Sequence, residues 1–327
     1  MRFHRAIHGS LGGLLKMFQT GIKLSDYSNY KIGGPARYFY QAGDLTGLVL
    51  AVEKARKQKL PIFILGGGTN LLISDQGFDG LVLKSEIKKL EIEKLSDAAL
   101  VKVGAGTSVS EFLNFLISHG LSGMEWAGGL PGTLGGAIRG NAGAFGGEMK
   151  NVVKEVISLD IKNPKPRIIK RTNPECRFGY RHSIFKESPE IILEAALKLR
   201  KGDKKNIRSG IEEKIGYRQE RQPLDYPNIG SIFKNVAVSQ YSHLNVSEFS
   251  HVIKTDPFPV VPAAYLIAET GLKGVHCGGA MISPKHPNFI VNVLKAGSED
   301  VKNLIKLVKS EVSNKFEIKL EEEIIYV

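Results

Sequence analysis

The hydrophobic and polar positions of the chain recur with two different periods, which predict a protein of mixed α and β structure. From Asp44 to Lys59 the apolar residues lie at helical spacing, and Pro61–Leu65 then forms the continuous apolar run of a buried strand. Further strands are expected at residues 81–83, 90–92, 100–103, 152–161, 191–199 and 316–327. Further helices are expected at residues 109–119, 201–221, 263–269 and 299–314.

Residues at the ends of these elements support the boundaries. Ser108 and Glu111 have the spacing of a capping box in front of the helix at 109–119. Gly271 closes the helix at 263–269, and Ser298 is the predicted N-cap of the last helix. Asn163–Pro166 has the composition of a turn between strands. The charged helix at 201–221 is expected to be exposed and to mark the main domain boundary.

The length and composition fit an ordinary soluble enzyme. At 327 residues the chain exceeds what one hydrophobic core usually organises, so two or three domains are expected. The composition is 42% apolar and 24% charged, and no stretch approaches the apolar length of a transmembrane helix. Glycines and Lys16 interrupt the apolar residues near the N-terminus, which we interpret as a frayed extension and not as a signal peptide.

The cysteines and the charge narrow the range of partners. Cys176 and Cys277 stand outside any CxxC pair and away from histidines at metal-ligand spacing, which predicts ordinary thiols in a reducing cytosol and no metal site. The formal net charge of +12 favours an anionic partner. Nucleic acid and nucleotides with diphosphates both fit this charge, although the basic residues are scattered instead of forming an arm or a helical stripe.

The loop Gly66-Gly67-Gly68-Thr69-Asn70 is a candidate for anion binding. It follows a strand, where glycines let backbone N–H groups turn toward a bound diphosphate. A tight turn that merely needs positive φ would explain the same triplet. Leu71 stands where a dinucleotide fingerprint requires glycine, and no P-loop motif occurs, so any nucleotide is held in another manner.

A second glycine-rich segment, residues 127–147, contains nine glycines in 21 residues. This density makes folding entropically costly, and a close approach of the backbone to a ligand would explain it. A glycine-rich hairpin is the structural alternative.

Together with Ile32-Gly33-Gly34-Pro35-Ala36, these segments resemble the UDP-N-acetylenolpyruvoylglucosamine reductase family, and the resemblance extends from about Gly21 to Val327. It implies a vanillyl-alcohol-oxidase-type FAD-binding fold of mixed α/β and α+β structure, with two α/β subdomains and a smaller C-terminal α+β domain for the substrate. The implied division is an N-terminal extension at 1–20, FAD-binding subdomains at 21–86 and 87–207, a substrate-binding domain at 208–318, and a C-terminal strand at 319–327 that returns to the active site.

The resemblance also implies which residues hold FAD, because the two glycine segments lie along the diphosphate and the flavin in this fold. The cofactor-binding residues expected on this basis are Ile32, Gly33, Gly66, Gly67, Gly68, Thr69, Asn70, Leu71, Gly128, Gly129, Pro131, Gly132, Thr133, Gly136, Asn141 and Gly143.

Three further motifs match positions that the family uses for catalysis, at Arg181, Ser231 and Glu323. Reduction of an enol ether of pyruvate adds a hydride from the flavin to the terminal carbon, and negative charge then grows on the carboxylate. Arg181 is expected to bind that carboxylate, Glu323 to donate a hydrogen bond to it when protonated, and Ser231 to protonate the adjacent carbon. The acidic run Glu321–Glu323 leaves the position of the glutamate open by two residues.

Matched positions near these motifs are assigned to the substrate. The substrate-binding residues expected are Tyr180, Arg218, Gln222, Lys234 and Asn235. Lys234 and Asn235 are expected to reach the diphosphate, whereas Tyr180 fits packing on the substrate and packing in the core equally well.

Other positions receive structural roles or depart from the family pattern. His276 and His286 are assigned structural roles, because no histidine has a partner at ligand spacing. Only 50 positions separate Arg181 from Ser231, which suggests the subtype without the extra loop that carries a tyrosine. Arg139 stands with Gly140 where an apolar pair is commoner in the family.

The resemblance implies an NADPH-dependent, FAD-containing reductase that makes UDP-N-acetylmuramate from its enolpyruvyl precursor, for peptidoglycan synthesis in the cytoplasm. A UDP-sugar and NADPH are the expected partners, without nucleic acid or membrane, and the protein is expected to be a monomer or weak oligomer. The nearest alternative is another FAD-dependent sugar or alcohol oxidase of the same fold. An alternative of a different class is a basic nucleic-acid-binding module.

Overall fold

The computed structural model describes residues 17–94, 98–163, 165–240, 249–255 and 258–327. The frayed extension predicted at the N-terminus therefore lies almost wholly outside the described residues, as does Pro164 of the predicted turn. Phe18, at the start of the described chain, is buried against the rings of Tyr38 and Tyr40.

The described chain is organised in short strands and six α-helices, connected in part by 3₁₀ turns. The strands are β1 (Ile22–Lys23), β2 (Pro35–Ala42), β3 (Ile62–Leu65), β4 (Leu71–Leu72), β5 (Phe78–Ser85), β6 (Leu90–Lys94), β7 (Ala98–Gly104), β8 (Leu121–Ser122), β9 (Gly143–Ala144), β10 (Gly147–Glu148), β11 (Val153–Asp160), β12 (Arg167–Thr172), β13 (Glu190–Lys201), β14 (Val236–Ala237), β15 (Val260–Val261), β16 (His276–Cys277), β17 (Ala280–Ile282), β18 (Ile290–Asn292) and β19 (Ile325–Tyr326). The helices are α1 (Leu45–Lys57), α2 (Val109–His119), α3 (Leu134–Arg139), α4 (Lys204–Arg221), α5 (Ala263–Glu269) and α6 (Ser298–Phe316).

The first unit is a sheet of strand order β1-β2-β5-β3, in which β2, β5 and β3 are parallel. Helix α1 connects β2 to β3, and its apolar stripe of Leu48, Ala51 and Val52 is buried. The side chain of Asp44 caps this helix by accepting the N–H of Gly47 at 2.7 Å. Strand β3 ends directly at the glycine loop, as the sequence predicts, so the sheet fixes where that loop begins.

The second unit is an antiparallel sheet of order β12-β11-β13-β7-β6, with β8 added beside β13. Helix α2 lies in its core, and Ser108 caps the helix by accepting the N–H of Glu111 at 3.1 Å. Only this half of the predicted capping box forms, because the Glu111 carboxylate binds Lys88 at 3.0 Å. The alternating pattern of β12 escaped the sequence analysis, since most of its side chains are exposed.

Helix α4 is largely exposed, as its charge predicts, but it is docked on the second unit. Its buried residues, Ile207 and Ile211, share a hydrophobic cluster with Trp126 and Phe112. The domain boundary predicted at 207/208 falls inside this helix and remains a prediction.

The third unit combines the small antiparallel pairings β14-β15 and β16-β17-β18 with helices α5 and α6. The predicted N-cap of α6 is wrong by one residue, because Gly297 occupies that position and Ser298 begins the helix. The Ser298 hydroxyl donates to Asp75 at 2.9 Å, and Asp300 accepts the N–H of Gly297 at 3.0 Å instead. Ser298 thus ties α6 to the first unit.

The predicted strand at 316–327 is wrong for most of its length. Phe316 ends α6, and only Ile325–Tyr326 forms a strand, which pairs in parallel with Leu71–Leu72 of β4. The apolar period of α6 continues to Phe316, and Glu317 then reverses the chain with φ +56°. The short pairing brings the C-terminus next to the glycine loop.

Candidate active site

The glycine loop and the second glycine segment touch each other backbone to backbone. A Cβ at Gly67 would lie 2.5 Å from the Cα of Gly132, and one at Gly66 would lie 3.1 Å from the Oγ1 of Thr133. Gly68 and Gly132 have φ of +66° and +101°, which favour glycine. We call residues 66–70 and 128–133 together the glycine cradle.

The glycine cradle has the properties of an anion site. The backbone N–H groups of Gly67, Gly68 and Thr69 donate no hydrogen bond to any described residue. Free N–H groups in a loop with three successive glycines are suited to the oxygens of a diphosphate. The residues present therefore fit the diphosphate of FAD, and this favours the anion site over a plain turn.

The rest of the second glycine segment is more regular than expected. Thr133 caps the short helix α3 by accepting the N–H of Gly136 at 3.3 Å. Strands β9 and β10 then form a small hairpin, so the hairpin alternative describes this end of the segment.

Two residues expected to contact FAD use their side chains inside the protein. Ile32 is 2% exposed and packs in the core of the third unit. Asn141 is fully buried, and its amide donates to Glu148 Oε2 at 2.6 Å and to the carbonyl of Gly179 at 2.9 Å. Their contacts with FAD would have to come mainly from the backbone.

Arg181 lies at the tip of a tight turn. Gly179 and His182 exchange backbone hydrogen bonds of 3.0 and 3.1 Å, which leaves Tyr180 and Arg181 between them. Arg181 has φ +54°, a left-handed conformation that costs a residue with a Cβ about 1–2 kcal/mol. Backbone strain of this kind concentrates at functional sites, and the surrounding structure must hold it in place. We call residues 179–182 the Arg181 turn.

Glu323 approaches Arg181 from the C-terminal segment. Its Oε1 lies 2.8 Å from the Nε of Arg181, with the side chains 20% and 26% exposed. This nitrogen has no aligned hydrogen-bond partner among the described residues, so the contact is an ion pair without hydrogen-bond geometry. The carboxylate of Glu323 thus attracts the Nε edge of the Arg181 guanidinium.

Ser231 lies in the segment that pairs with Glu323. The N–H of Glu323 donates to the carbonyl of Ile232 at 2.8 Å, and the N–H of Lys234 donates to the carbonyl of Glu321 at 2.9 Å. Ser231 is partly exposed, and its hydroxyl has no hydrogen-bond partner among the described residues. The fold therefore brings the three predicted catalytic residues into one neighbourhood, although 142 positions separate the first from the last.

The glycine cradle connects directly to these residues. The Nδ2 of Asn70 donates to the backbone carbonyl of Glu323 at 3.0 Å, and the N–H of Ile325 donates to the carbonyl of Asn70 at 3.1 Å. The Nε of Arg218 donates to the carbonyl of Gly128 at 2.8 Å. The segments that carry the cofactor-binding and catalytic predictions are thus in direct contact.

Lys186 belongs to this site, although the sequence analysis assigned it no role. Its Nζ donates to the carbonyl of Arg181 at 2.7 Å. Burial lowers its pKa, and neighbouring cations lower the pKa further against an opposing effect of Glu323. These cations are Arg139, Lys234 and Arg181. We call Arg139, Arg181, Lys186, Ser231, Lys234 and Glu323 the charged cluster.

The charged cluster has more positive than negative groups. Lys234 pairs with Glu321 at 2.5 Å, and Glu323 pairs with Arg181. Burial lowers the pKa of Arg139, and burial followed by repulsion from Arg181 lowers the pKa of Arg218. One Nη of Arg218 is buried without a hydrogen-bond partner in the described part of the chain. An excess of partly buried cations of this kind favours a ligand with several negative charges.

Two further predicted substrate residues, Tyr180 and Asn235, contact each other beside the charged cluster. The ring of Tyr180 packs on Phe258 with centroids 5.2 Å apart, and its hydroxyl accepts the N–H of Asn235 at 3.3 Å. Burial raises the pKa of Tyr180. The Oδ1 of Asn235 accepts the N–H of Ala263 at 3.2 Å, which fastens Asn235 to the start of α5. Gln222 directly follows α4.

His286 and the two cysteines are not members of the charged cluster. Burial lowers the pKa of His286 to about 4, so its imidazole is neutral at pH 7. Cys176 is a free, buried thiol, and Cys277 is free as well. Within the described ranges, no group of three His, Cys, Asp or Glu side chains is arranged to hold a metal ion.

Two family models match the chain. The C-terminal domain of UDP-N-acetylenolpyruvoylglucosamine reductase matches residues 222–327, and an FAD binding domain matches residues 36–170. The second model covers the glycine cradle, and the first covers Ser231, Lys234 and Glu323.

Whole proteins match over nearly the full chain. The UDP-N-acetylenolpyruvoylglucosamine reductase of Caldanaerobacter subterraneus subsp. tengcongensis is 40% identical over 91% of this chain and 89% of its own. That of Lachnoclostridium phytofermentans is 34% identical over 92% and 90%. The crystal structure of the Thermus caldophilus reductase aligns with a TM-score of 0.72 and 28% identity, over 94% of this chain and 99% of its own. These matches confirm the predicted fold, an FAD-binding fold with a smaller C-terminal domain.

Proposed function

The chain belongs to the UDP-N-acetylenolpyruvoylglucosamine reductase family, and on this premise we propose that it reduces enolpyruvyl UDP-N-acetylglucosamine to UDP-N-acetylmuramate with FAD and NADPH. The observation that carries the proposal is the meeting of Arg181, Glu323 and the Ser231 segment beside the glycine cradle. A proton donor, a carboxylate-binding cation and a diphosphate site are what this reduction requires.

The glycine cradle is proposed to hold the FAD diphosphate. The free N–H groups of Gly67, Gly68 and Thr69 supply hydrogen bonds, and the missing Cβ atoms allow the backbone to approach the phosphates. In this proposal residues 21–86 and 87–207 hold FAD, residues 208–318 hold the substrate, and residues 319–327 return to the site. The bound flavin supplies hydride chemistry.

The side chains of the charged cluster are proposed to handle the substrate. Arg181 presents guanidinium N–H groups to the substrate carboxylate, which gains negative charge during reduction. Glu323, on the edge of Arg181, donates a hydrogen bond to the same carboxylate when it is protonated. The Ser231 hydroxyl, which bonds no other described residue, gives its proton to the carbon next to the carboxylate.

The excess of cations supports a nucleotide sugar as the substrate. A UDP-sugar with an enolpyruvyl group carries a diphosphate and a carboxylate, and Lys234 with Asn235 is proposed to bind the diphosphate. NADPH carries several phosphates as well, so Lys234 is suited to the phosphates of both ligands in turn. We therefore propose that NADPH leaves before the sugar binds, which predicts ping-pong kinetics.

The location and pathway are part of the same proposal. None of the helices that the structure describes has the length and apolar character needed to cross a membrane. We propose that the enzyme acts in the cytoplasm in the synthesis of peptidoglycan precursors. The chain is proposed to work as a monomer or weak oligomer.

The two alternatives make different use of the same residues. An oxidase of this fold has no need for a proton donor at Ser231 or for a carboxylate clamp at Arg181. A nucleic-acid-binding module would need a basic face with stacking aromatics and would contain no flavin.

The substitution Ser231→Ala tests the proposal. The purified protein is expected to be yellow, and the variant should be reduced by NADPH at the wild-type rate. Its reoxidation by the enolpyruvyl sugar should slow by about 10²–10⁴-fold, because the proton donor is lost. Stopped-flow absorbance of the flavin, without oxygen, measures both half-reactions separately.

The matched control is Ser209→Ala on the exposed face of α4. It should leave both half-reactions unchanged. A colourless wild-type protein, or equal reoxidation rates for wild type and Ser231→Ala, would refute the proposal.

A further inference from the structure

The left-handed conformation of Arg181 needs support from outside the turn. Its φ of +54° is unfavourable for a residue with a Cβ, and the two backbone bonds between Gly179 and His182 are formed within the turn itself. Two side chains from outside the turn, the distant Asn141 and the nearby Lys186, donate hydrogen bonds to its carbonyls.

Asn141 supplies the first of these contacts. One amide N–H donates to the carbonyl of Gly179 at 2.9 Å, and the other donates to Glu148 Oε2 at 2.6 Å. The Oδ1 accepts the N–H of Lys150 at 2.9 Å, so the amide is fixed on three sides. Because Asn141 is 0% exposed, water does not compete for these bonds.

The partner of Asn141 is itself fixed. Glu148 Oε1 lies 2.5 Å from the Nζ of Lys150, and the N–H of Glu148 donates to Asn151 at 2.9 Å. Asn141 and Glu148 both belong to the segment that follows α3 and the glycine cradle. This arrangement rigidly connects the predicted FAD-binding segment to the Arg181 turn.

Lys186 supplies the second contact. Its Nζ donates to the carbonyl of Arg181 at 2.7 Å, on the other end of the turn from Gly179. Lys186 ends a 3₁₀ helix, Ile184–Lys186, whose Phe185 is buried. Its base is therefore anchored in the core while its ammonium group reaches the turn.

We propose that Asn141 and Lys186 are positioning residues that clamp the Arg181 turn and so keep the guanidinium aimed at the substrate carboxylate. The inference rests on the proposed function, because it takes that carboxylate as the ligand of Arg181. It assigns to Asn141 a role other than the FAD contact predicted from the sequence.

The clamp acts on one half-reaction only. Reduction of the flavin by NADPH does not involve the enolpyruvyl carboxylate, whereas reoxidation by the sugar does. Loss of the clamp should therefore slow reoxidation and leave reduction and FAD content unchanged. A general loss of structure would lower the reoxidation rate, the reduction rate and the FAD content together.

The first test uses Asn141→Gly, because glycine accepts the φ of +43° at this position. Reoxidation by the enolpyruvyl sugar is expected to fall by about tenfold to a hundredfold, the cost of misplacing a binding group by about 1 Å. The rate of reduction by NADPH and the ratio of FAD to protein should stay at the wild-type values. Equal reoxidation rates for variant and wild type would overturn the proposal.

The second test is a double-mutant cycle with Arg181→Lys. If Asn141 acts through the guanidinium, Asn141→Gly should change reoxidation by less than about twofold in the Arg181→Lys background. Full additivity of the two substitutions would overturn the proposal. Lys186→Met, which keeps the length and apolar stem of the side chain, replaces Asn141→Gly in the same cycle if that variant does not fold. Its reoxidation rates are compared at saturating sugar, so that the loss of the Lys186 charge on sugar binding does not enter the comparison, and full additivity there would overturn the proposal.

The matched control is Asn292→Ala in the third unit. This buried amide also donates to a distant carbonyl, that of Tyr30 at 3.0 Å, and accepts the N–H of Ala296 at 2.8 Å. The substitution should lower the melting temperature without changing the ratio of the two half-reaction rates. A wild-type protein that lacks FAD or does not reduce the sugar refutes the proposed function, whereas an active wild type with additive variants refutes the clamp alone.

Discussion

The glycine cradle and the charged cluster form two adjacent parts of the candidate site by opposite means. The cradle is built mainly from glycine backbone, and the close contact of its two segments depends on absent side chains, as where Gly67 meets Gly132. Apart from Ser231, the charged cluster consists of long charged side chains whose positions depend on contacts elsewhere, as where Lys186 donates to the Arg181 carbonyl. We therefore expect an added Cβ to disrupt the cradle and the loss of a supporting hydrogen bond to disrupt the charged cluster.

This contrast separates binding from chemistry. In the proposal the cradle offers backbone N–H groups to a diphosphate and takes no part in the chemistry of the substrate. The cluster offers a cation, a carboxylate and a hydroxyl in one arrangement, and this arrangement distinguishes the proposed reductase from an oxidase. Substitutions in the two regions should therefore fail in different assays.

The substitution Gly67→Ala should have the most severe effect. A Cβ there would lie 2.5 Å from the Gly132 Cα and 3.3 Å from the Thr133 N, and backbone on both sides cannot rotate away. We expect the purified variant to retain less than about a tenth of the wild-type FAD. Its free energy of unfolding should be lower by about 1–3 kcal/mol. Flavin absorbance of the purified protein measures the first quantity, and thermal unfolding measures the second.

The control for this substitution is Gly216→Ala in the exposed part of α4. No atom lies within 4 Å of its added Cβ, and alanine favours a helix interior over glycine by about 1 kcal/mol. This variant should keep its FAD and be slightly more stable. FAD content equal in the two variants would show that the contact between the glycine segments does not matter.

The substitution Glu323→Gln should affect the charged cluster and spare the cradle. Glutamine keeps a hydrogen-bond donor but removes the ion pair with Arg181 at 2.8 Å. We expect full FAD content and normal reduction by NADPH, with reoxidation slower by about 10- to 100-fold, less than the loss of a complete transition-state donor. Stopped-flow reoxidation by the enolpyruvyl sugar measures the effect.

The neighbouring glutamate provides the control and resolves the register of the acidic run. Glu322 binds Lys309 at 2.8 Å and the Tyr326 hydroxyl at 2.5 Å, away from Arg181. Glu322→Gln should therefore keep the wild-type rate of reoxidation. Slow reoxidation in Glu322→Gln together with wild-type reoxidation in Glu323→Gln would assign the proposed role of Glu323 to Glu322.

The sequence was sufficient to predict those elements whose structure is decided by residues close together in the chain. Helices α1 and α2 begin where Asp44 and Ser108 can cap them, and the loop of glycines follows its strand as predicted. The end of the chain was predicted wrongly, because the C-terminal strand is set by pairing with Leu71–Leu72, more than 250 positions away. Ser298 was misplaced for a similar reason, since its hydroxyl binds Asp75.

The candidate site shows the same division. The glycine cradle is visible in the sequence because it depends on the residue type alone. Arg181, Ser231 and Glu323 were found only through the family resemblance, since nothing in their spacing brings them together. The contacts of Asn141 and Lys186 with the Arg181 turn were missed, because each is a bond from a side chain to a distant or local carbonyl that no sequence motif records.

The pH dependence of reoxidation provides a milder test of the charged cluster. Burial and neighbouring cations lower the pKa of Lys186 from the ordinary lysine value of 10.5. As pH rises through this lowered pKa, Lys186 loses its proton and the cluster loses one positive charge. As the pH is raised, binding of the anionic substrate should therefore begin to weaken before pH 10.5 is reached. A lysine with an ordinary pKa would lose its charge only near pH 10.5.

Substitution by arginine separates Lys186 from other groups that titrate in the same range. In Lys186→Arg the side chain keeps a donor for the Arg181 carbonyl and stays charged at every accessible pH, so the alkaline decline in sugar binding should move upward. The cradle contains no titrating side chain, so FAD content should not change over the same pH range in either protein. An alkaline decline in sugar binding that is unchanged in Lys186→Arg would assign the titration to a group other than Lys186. A decline that follows the loss of FAD would show that it arises from release of the cofactor and not from the charge of the cluster.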